Sequence, residues 1–523
     1  MKHKFPALTF FFVLCLAATS WAQSAFQNIV VGNLGHPNEP SIIIDPADTN
    51  KMMVATNTDK IFYSDDGGKT WFHSQATSQW GVFGDPCLLA DSSGNFFYFH
   101  LAKNDNITVW PKYADRIVCE RSNTGGDGWQ VDSYTGNNVG HMQDKEWAAI
   151  DTKNNAIYVA WTQFDEYDSS RAQDSSTIYF SKSTDGGANW SNASLLSAIA
   201  GDCLDSDSTI EGAMPAIGIN GEVYVTWAYA ENIYFNKSLN GGTTWSPNEK
   251  IIADQPEGWD YPIFGLNRCN GLPVIACDVS TGPYRGTVYI NWTDKRNGPQ
   301  DADVYIAKSI DGGATWGLPV RVNDDPPGKE NFSSWMAIDQ SNGDVYVVFY
   351  DRRNYSNDST DVYLARSTDG GNSFVNYRIS ESAYVPDPTV FNGDYNNISA
   401  VNGCVRPVWT RQDTGQTSVL TAIINFPQTN LSVGNKVAAA FKWRLLSNNP
   451  TKGNCLIAIE EVSGDCSLQI VDVSGRLLYT RGNIKRGDFV KLNLTELGAA
   501  SGIYFIKCMD DTDVRTFKIL VQN

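Results

Sequence analysis

Tyr63–Trp71 reads YSDDGGKTW, and the same order of residues returns at Ser181–Trp190 (SKSTDGGANW), Asn236–Trp245 (NKSLNGGTTW), Ala307–Trp316 (AKSIDGGATW) and Ala365–Phe374 (ARSTDGGNSF). A degenerate copy, ERSNTGGDGW, occupies Glu120–Trp129. The underlying pattern is Ser-x-Asp-x-Gly-x-Thr-Trp. Its paired glycines permit a positive-φ turn between two strands, its Asp accepts hydrogen bonds from the turn's own amides, and its Trp buries against a sheet. Every residue has a structural task. Asp66, Asp185, Asn240, Asp311 and Asp369, with Trp71, Trp190, Trp245, Trp316 and Phe374, are therefore read as frame and not as chemistry.

The copies begin at Ser64, Ser122, Ser183, Ser238, Ser309 and Ser367, which by subtraction are 58, 61, 55, 71 and 58 residues apart. Each interval holds four short strands, the arrangement of a propeller blade. The second strand of each unit is an apolar run, as in AIYVAWTQ (156–163), EVYVTWAY (222–229), TVYINWTD (287–294) and DVYVVFYD (344–351). Runs of this kind fit strands buried between neighbouring sheets. First strands open at Asn38, Gly84, Asp144, Glu211, Leu272, Ser334 and Asp394, seven openings against six motif copies. The last unit has only three strands, and FQNIVVG (Phe26–Gly32) precedes the first opening as a spare. That strand is expected to complete the last blade and so remove an exposed sheet edge.

The fold expected over residues 25–426 is thus an all-β propeller of seven blades, with six as the alternative. A linker at 427–447 leads to a second all-β unit at 448–523, whose alternating strands and glycine turns predict a small sandwich.

Bulk properties set limits on function. The chain has 523 residues with a net charge of -18, and no cluster of Lys and Arg, which argues against a nucleic-acid partner. Lys2 and Lys4, an apolar run from Leu8 to Ala18 and small residues at Ser20 and Ala22 predict a secretory signal peptide over residues 1–22. The run is too short to span a bilayer, so no transmembrane segment is expected. In an oxidising compartment Cys87/Cys119, Cys269/Cys277 and Cys455/Cys466 are candidate disulfides, with buried unpaired thiols as the equal alternative. No cofactor is expected. The Asp-rich loops Asp202–Ser208 and Asn357–Asp361 offer oxygen ligands for calcium but lack the EF-hand spacing.

The repeated motif resembles the Asp-box (BNR) repeat of the sialidase superfamily, and the resemblance covers about Ala25 to Phe426. The C-terminal unit, with VDVSGRLLYTRG and GIYFIKCMDDTDVRTFKILVQ, is similar to the sorting domain used in type IX secretion by Bacteroidetes. These resemblances imply export across the outer membrane by the type IX machinery, a secreted or cell-surface location, and an extracellular glycan as partner at the propeller axis. They also imply residue roles. Tyr395, in GDYNNISAV, matches the segment that carries the sialidase nucleophile, while Glu39 in NEP stands where the family has an arginine.

A propeller's ligand pocket lies on its axis, at the starts of the inner strands. Tyr395, Glu146, Glu211 and Asp85 are the candidate catalytic residues. Tyr395 would serve a sialidase-type step, and a carboxylate pair such as Glu146 and Glu211 an ordinary glycosidase. Arg296, Arg352, Arg411, Glu39 and Asp394 are the candidate substrate-binding residues. Exo-glycosidase activity is one expectation, and non-catalytic glycan binding or adhesion is the other.

Overall fold

The computed structural model describes residues 26–103, 113–126, 128–426, 442–445, 451–461, 466–472, 476–485, 487–509 and 514–522. The expected signal peptide lies outside them. The chain divides into two compact units, Met1–Gln428 and Thr429–Asn523.

In the first unit seven antiparallel sheets of four strands follow one another. Their inner strands are Ser41–Ile44, Gly84–Ala90, Met142–Asp151, Glu211–Ile217, Val274–Cys277, Asn331–Asp339 and Asn397–Val401. Each packs against the next, and the seventh returns to the first, so the ring is closed. The last sheet takes its outer strand from the other end of the chain: Gln27–Gly32 pairs with Gln416–Asn425, Gln27 lying opposite Ile423. Seven blades and an N-terminal closing strand are therefore present. Second strands are buried on both faces, with Trp161, Trp227, Trp292 and Trp409 inaccessible at corresponding places.

The repeated motif links the third strand to the fourth in six blades. In each copy the Ser hydroxyl accepts the amide of the second glycine at 2.8–3.1 Å. In five of them Oδ1 of the Asp or Asn accepts the amide four residues on, from Thr70, Asn189, Thr244, Thr315 and Ser373. The motif also joins blades. The residue before the motif Ser sends its ammonium to the next blade's turn: Lys182 Nζ donates to the Gly241 carbonyl (2.7 Å), Lys237 to Gly312 (2.7 Å) and Lys308 to Gly370 (2.6 Å). Between the last blade and the first, Arg406 Nε does this for the Gly67 carbonyl at 2.9 Å. Motif Trp rings add apolar contact across the same seams, Trp245 against Phe180 (4.8 Å) and Trp316 against Phe235 (5.2 Å).

The second unit holds two sheets around one core that includes Ile457, Val490, Leu468, Ile470, Ile506 and Ile519. Its first strand, Lys442–Leu445, pairs with Asn454–Glu461 and falls inside the stretch read as linker.

Among the described residues none of the three candidate pairings, Cys87/Cys119, Cys269/Cys277 and Cys455/Cys466, is formed. The cysteines of the described residues are buried, and Cys466 Sγ lies 3.3 Å from Cys508 Sγ. Cys87 and Cys119 both face Phe99, from either side of the strand that separates them, so they stand about 9–10 Å apart at the usual strand spacing. Cys455 and Cys466 lie on different sheets, and Cys269 sits in a loop before the strand that carries Cys277.

Candidate functional site

Strand direction alternates within a blade, so inner-strand starts and second-strand ends share one face and the motif hairpins occupy the other. Five inner strands open on a residue in the left-handed region: Glu39 (φ 50°), Asp85 (52°), Lys145 (50°), Gly212 (76°) and Ser333 (49°). In four of these blades the residue falls in a register shift of the strand, between Gly84 and Cys87, Asp144 and Trp147, Glu211 and Met214, and Phe332 and Trp335. A bulge of this kind re-aims a side chain. Left-handed backbone costs a non-glycine residue roughly 1–2 kcal/mol, so its recurrence marks a demand of the site.

Glu39, Asp85 and Lys145 meet in an axial pocket of about 310 Å³ with Asp144, Asp394, Arg268 and Tyr167. Lys145 Nζ stands 2.7 Å from Asp394 Oδ2 and 3.9 Å from Asp85 Oδ1. Arg268 bridges Asp394 Oδ1 (2.9 Å) and Asp205 Oδ2 (2.8 Å), and the Tyr167 hydroxyl donates to Asp205 at 2.5 Å. Glu39 accepts the Asp394 amide at 3.0 Å and the side-chain amide of Asn57. Gly393 allows that approach, since a Cβ there would lie 2.7 Å from the Glu39 nitrogen.

Burial and crowding divide the carboxyls. Burial, then the Asp85 charge, pushes Glu39 well above the usual carboxylate range. Burial also raises Asp144 against the opposing Lys145 charge, and the charge of the neighbouring Asp85 adds to the rise. Burial works against Asp394 too, but the Lys145 and Arg268 charges outweigh it and hold that carboxyl below its ordinary value. Burial lowers Lys145, yet Asp394, Asp85 and Asp144 outweigh it and keep the ammonium charged. The pocket thus contains proton-bearing and ionised acids side by side. Asp85 and Asp144 are only partly buried and keep an edge open to it, whereas Glu39, Lys145 and Asp394 are buried. The exposed rings of Phe83 and Phe391 line its mouth.

Beside this pocket the axis is filled by three rings. Trp147 lies 5.2 Å from Trp335 and 6.0 Å from Tyr395, and Trp335 is 5.9 Å from Tyr395. The Tyr395 hydroxyl is buried without a hydrogen-bond partner, and burial followed by the Asp85 and Glu39 charges pushes it far up. Glu146 and Glu211 are fully buried next to the cluster. The Glu211 oxygens have no hydrogen-bond partner, those of Glu146 reach only its own backbone, and burial raises both carboxyls.

Of the residues named from the sequence, the structure brings Glu39, Asp85 and Asp394 into the pocket and sets Tyr395, Glu146 and Glu211 behind it. The three arginines do not line it. Arg296 pairs with Asp294, Arg352 with Glu330 and Arg411 with Asp413. Sequence reasoning missed Lys145, Arg268, Asp205 and Tyr167. Lys145 shares the strand-opening position of Glu39 and Asp85, a signal the alignment of openings contains. Among the described residues no set of three His, Cys, Asp or Glu side chains is arranged to hold a metal, and Asp202 instead accepts from Thr209 at 2.9 Å.

Residues 449–522 match the family of secretion system C-terminal sorting domains. The chain is therefore an axial-pocket β-propeller joined to a sorting domain that directs secretion and cell-surface attachment. No helix among the described residues is long and apolar enough to cross a membrane. Comparison with curated proteins finds no match. Among solved structures, an ulvan lyase of polysaccharide lyase family PL25 is 12% identical over 76% of this chain and 96% of its own, with a TM-score of 0.48. A protein of unknown function from Dyadobacter fermentans is 13% identical over 77% and 99% (TM-score 0.45), and the NanB sialidase of Streptococcus pneumoniae 11% identical over 76% and 70% (TM-score 0.39). These likenesses concern the fold alone.

Proposed function

We propose that the propeller hydrolyses a glycosidic bond of an uncharged extracellular glycan in the axial pocket, with Asp144 as proton donor and Asp85 as the second carboxyl group. The observation that carries this reading is that Asp144 and Asp85 are the two carboxyls of the pocket lining with an edge open to a ligand. Glycoside hydrolysis needs one acid that still holds its proton and a second carboxyl to activate water or attack the sugar. Burial raises the Asp144 carboxyl, the direction a proton donor needs. Asp394 is engaged by two cations and serves as a positioning residue, fixing Lys145 and Arg268.

The charge of the pocket favours an uncharged sugar over sialic acid. Its two cations are already neutralised by Asp394, Asp205 and Asp85, so none is left for a substrate carboxylate. Phe83 and Phe391 offer apolar faces for sugar rings.

The test incubates the purified chain with uncharged oligosaccharides and with sialosides and follows released sugar. Release from an uncharged substrate should fall by roughly 10²-fold or more in Asp144→Asn and Asp85→Asn, the usual size of a general-acid contribution, and persist in Tyr395→Phe. Release confined to sialosides and lost in Tyr395→Phe would overturn the reading. Binding without release from any substrate would make the propeller a glycan-binding adhesin.

A further inference from the structure

A second cleft lies on the flank of the propeller, between the outer strand of the second blade (Gln130–Thr135) and the motif hairpin of the third. It encloses about 520 Å³, more than the axial pocket. One wall is an aromatic platform: Trp80 and Tyr134 meet edge to face at 5.0 Å, and Tyr134 is 41% exposed. Arg116 backs both rings, its guanidinium 4.8 Å from the Tyr134 centroid, and its charge is spent on Asp115 at 2.6 Å. The other wall is held rigid by Trp190, whose indole nitrogen donates to Ser133 at 3.0 Å. Asn137, Asn189 and Asn192 line it with amides, and the Asn189 side-chain nitrogen donates to Asp185 at 2.8 Å.

The lining contains no acidic or basic side chain, in a chain whose net charge is -18. Flat rings with neutral amides and hydroxyls suit a ligand with apolar C–H faces and many hydroxyl groups, while anions and cations find no counter-charge there. We infer that this flank cleft is a second binding site, separate from the axis, for an uncharged polysaccharide chain. It holds polymer whether or not the axial pocket is catalytic.

Affinity electrophoresis of the full chain through gels containing a soluble glucan, an arabinoxylan or a galactomannan tests this, with polygalacturonate as the anionic control. At least one uncharged polymer should retard the protein, and Trp80→Ala and Tyr134→Ala should each weaken the retardation about tenfold. Tyr134→Phe keeps the ring and should keep the binding, and Asp144→Asn at the axis should leave it unchanged. Matched thermal unfolding of the variants excludes loss of fold as the cause. The inference fails if none of the uncharged polymers retards the chain, if polygalacturonate alone does, or if Trp80→Ala leaves binding intact. It also fails if Trp80→Ala alters only self-association. Sugar release is not the readout, so failure here leaves the axial proposal standing, and the converse holds.

Discussion

Tyr395 carries a hydroxyl that the protein has desolvated without giving it a partner. Such a group costs about 1–3 kcal/mol. Tyr395→Phe should therefore raise the melting temperature, or at the least not lower it, in a thermal scan. Glu146 and Glu211 make the same point with protons. Both are held protonated by burial in the folded chain, whereas an unfolded glutamate ionises near pH 4.3. Between those two limits the folded state binds more protons than the unfolded one, so stability falls as pH rises, by about 1.4 kcal/mol per pH unit for each group. Asp394 acts in the opposite sense, its contribution being lost as pH falls through its lowered value. The chain should melt higher at pH 5 than at pH 8, and Glu146→Gln with Glu211→Gln should flatten that slope. The openings at Glu39, Asp85, Asp144 and Asp394 could be read toward the axis because the repeat period fixes where an inner strand begins. Arg268 and Tyr167 could not, since which loop reaches the axis depends on how blades lean on one another. The three arginines failed to reach the pocket because each is paired with an acid near it, Arg296 and Arg411 with one two residues away and Arg352 with Glu330.

At the scale of the element, the motif proves to be a seam as well as a turn. Its internal bonds were readable in Ser-x-Asp-x-Gly, but the ammonium that crosses to the next blade depends on a residue that the motif itself does not specify. Ser309 shows the local part: it accepts Gly313 at 2.8 Å and donates to Asp311 at 2.7 Å while almost fully buried. Ser309→Ala should cost about 1–2 kcal/mol in chemical denaturation. The seams are unequal. Lys308 keeps an exposed contact with Asn372, so Lys308→Met should cost under about 1 kcal/mol. Arg406 is buried and also donates to the Val405 carbonyl at 2.9 Å and the Ile424 carbonyl at 2.6 Å, so Arg406→Met should cost about 3 kcal/mol by leaving three carbonyls without their donor. A reversal of that order would show that the seam between the last blade and the first is not special.

For the whole molecule, the seven openings and the spare N-terminal strand were enough to argue closure from sequence, whereas the thiols were not enough to argue cross-links, because neighbours in sequence proved to be two strands apart. The closing strand makes every blade depend on both ends of the propeller. A chain beginning at Asn33 leaves Gln416–Asn425 as an open edge, and it should lose its single cooperative melting transition or aggregate, as read by calorimetry and light scattering. The same strand order also governs how the protein bears load. A protein attached to the cell surface through its C-terminal domain takes the drag of moving fluid on the strand that leads into that domain, Gln416–Asn425. That strand lies between Cys404–Asp413 and Gln27–Gly32, with a hydrogen-bonded ladder on each side. Tension on it is therefore shared by two ladders at once, where an edge strand would have only one.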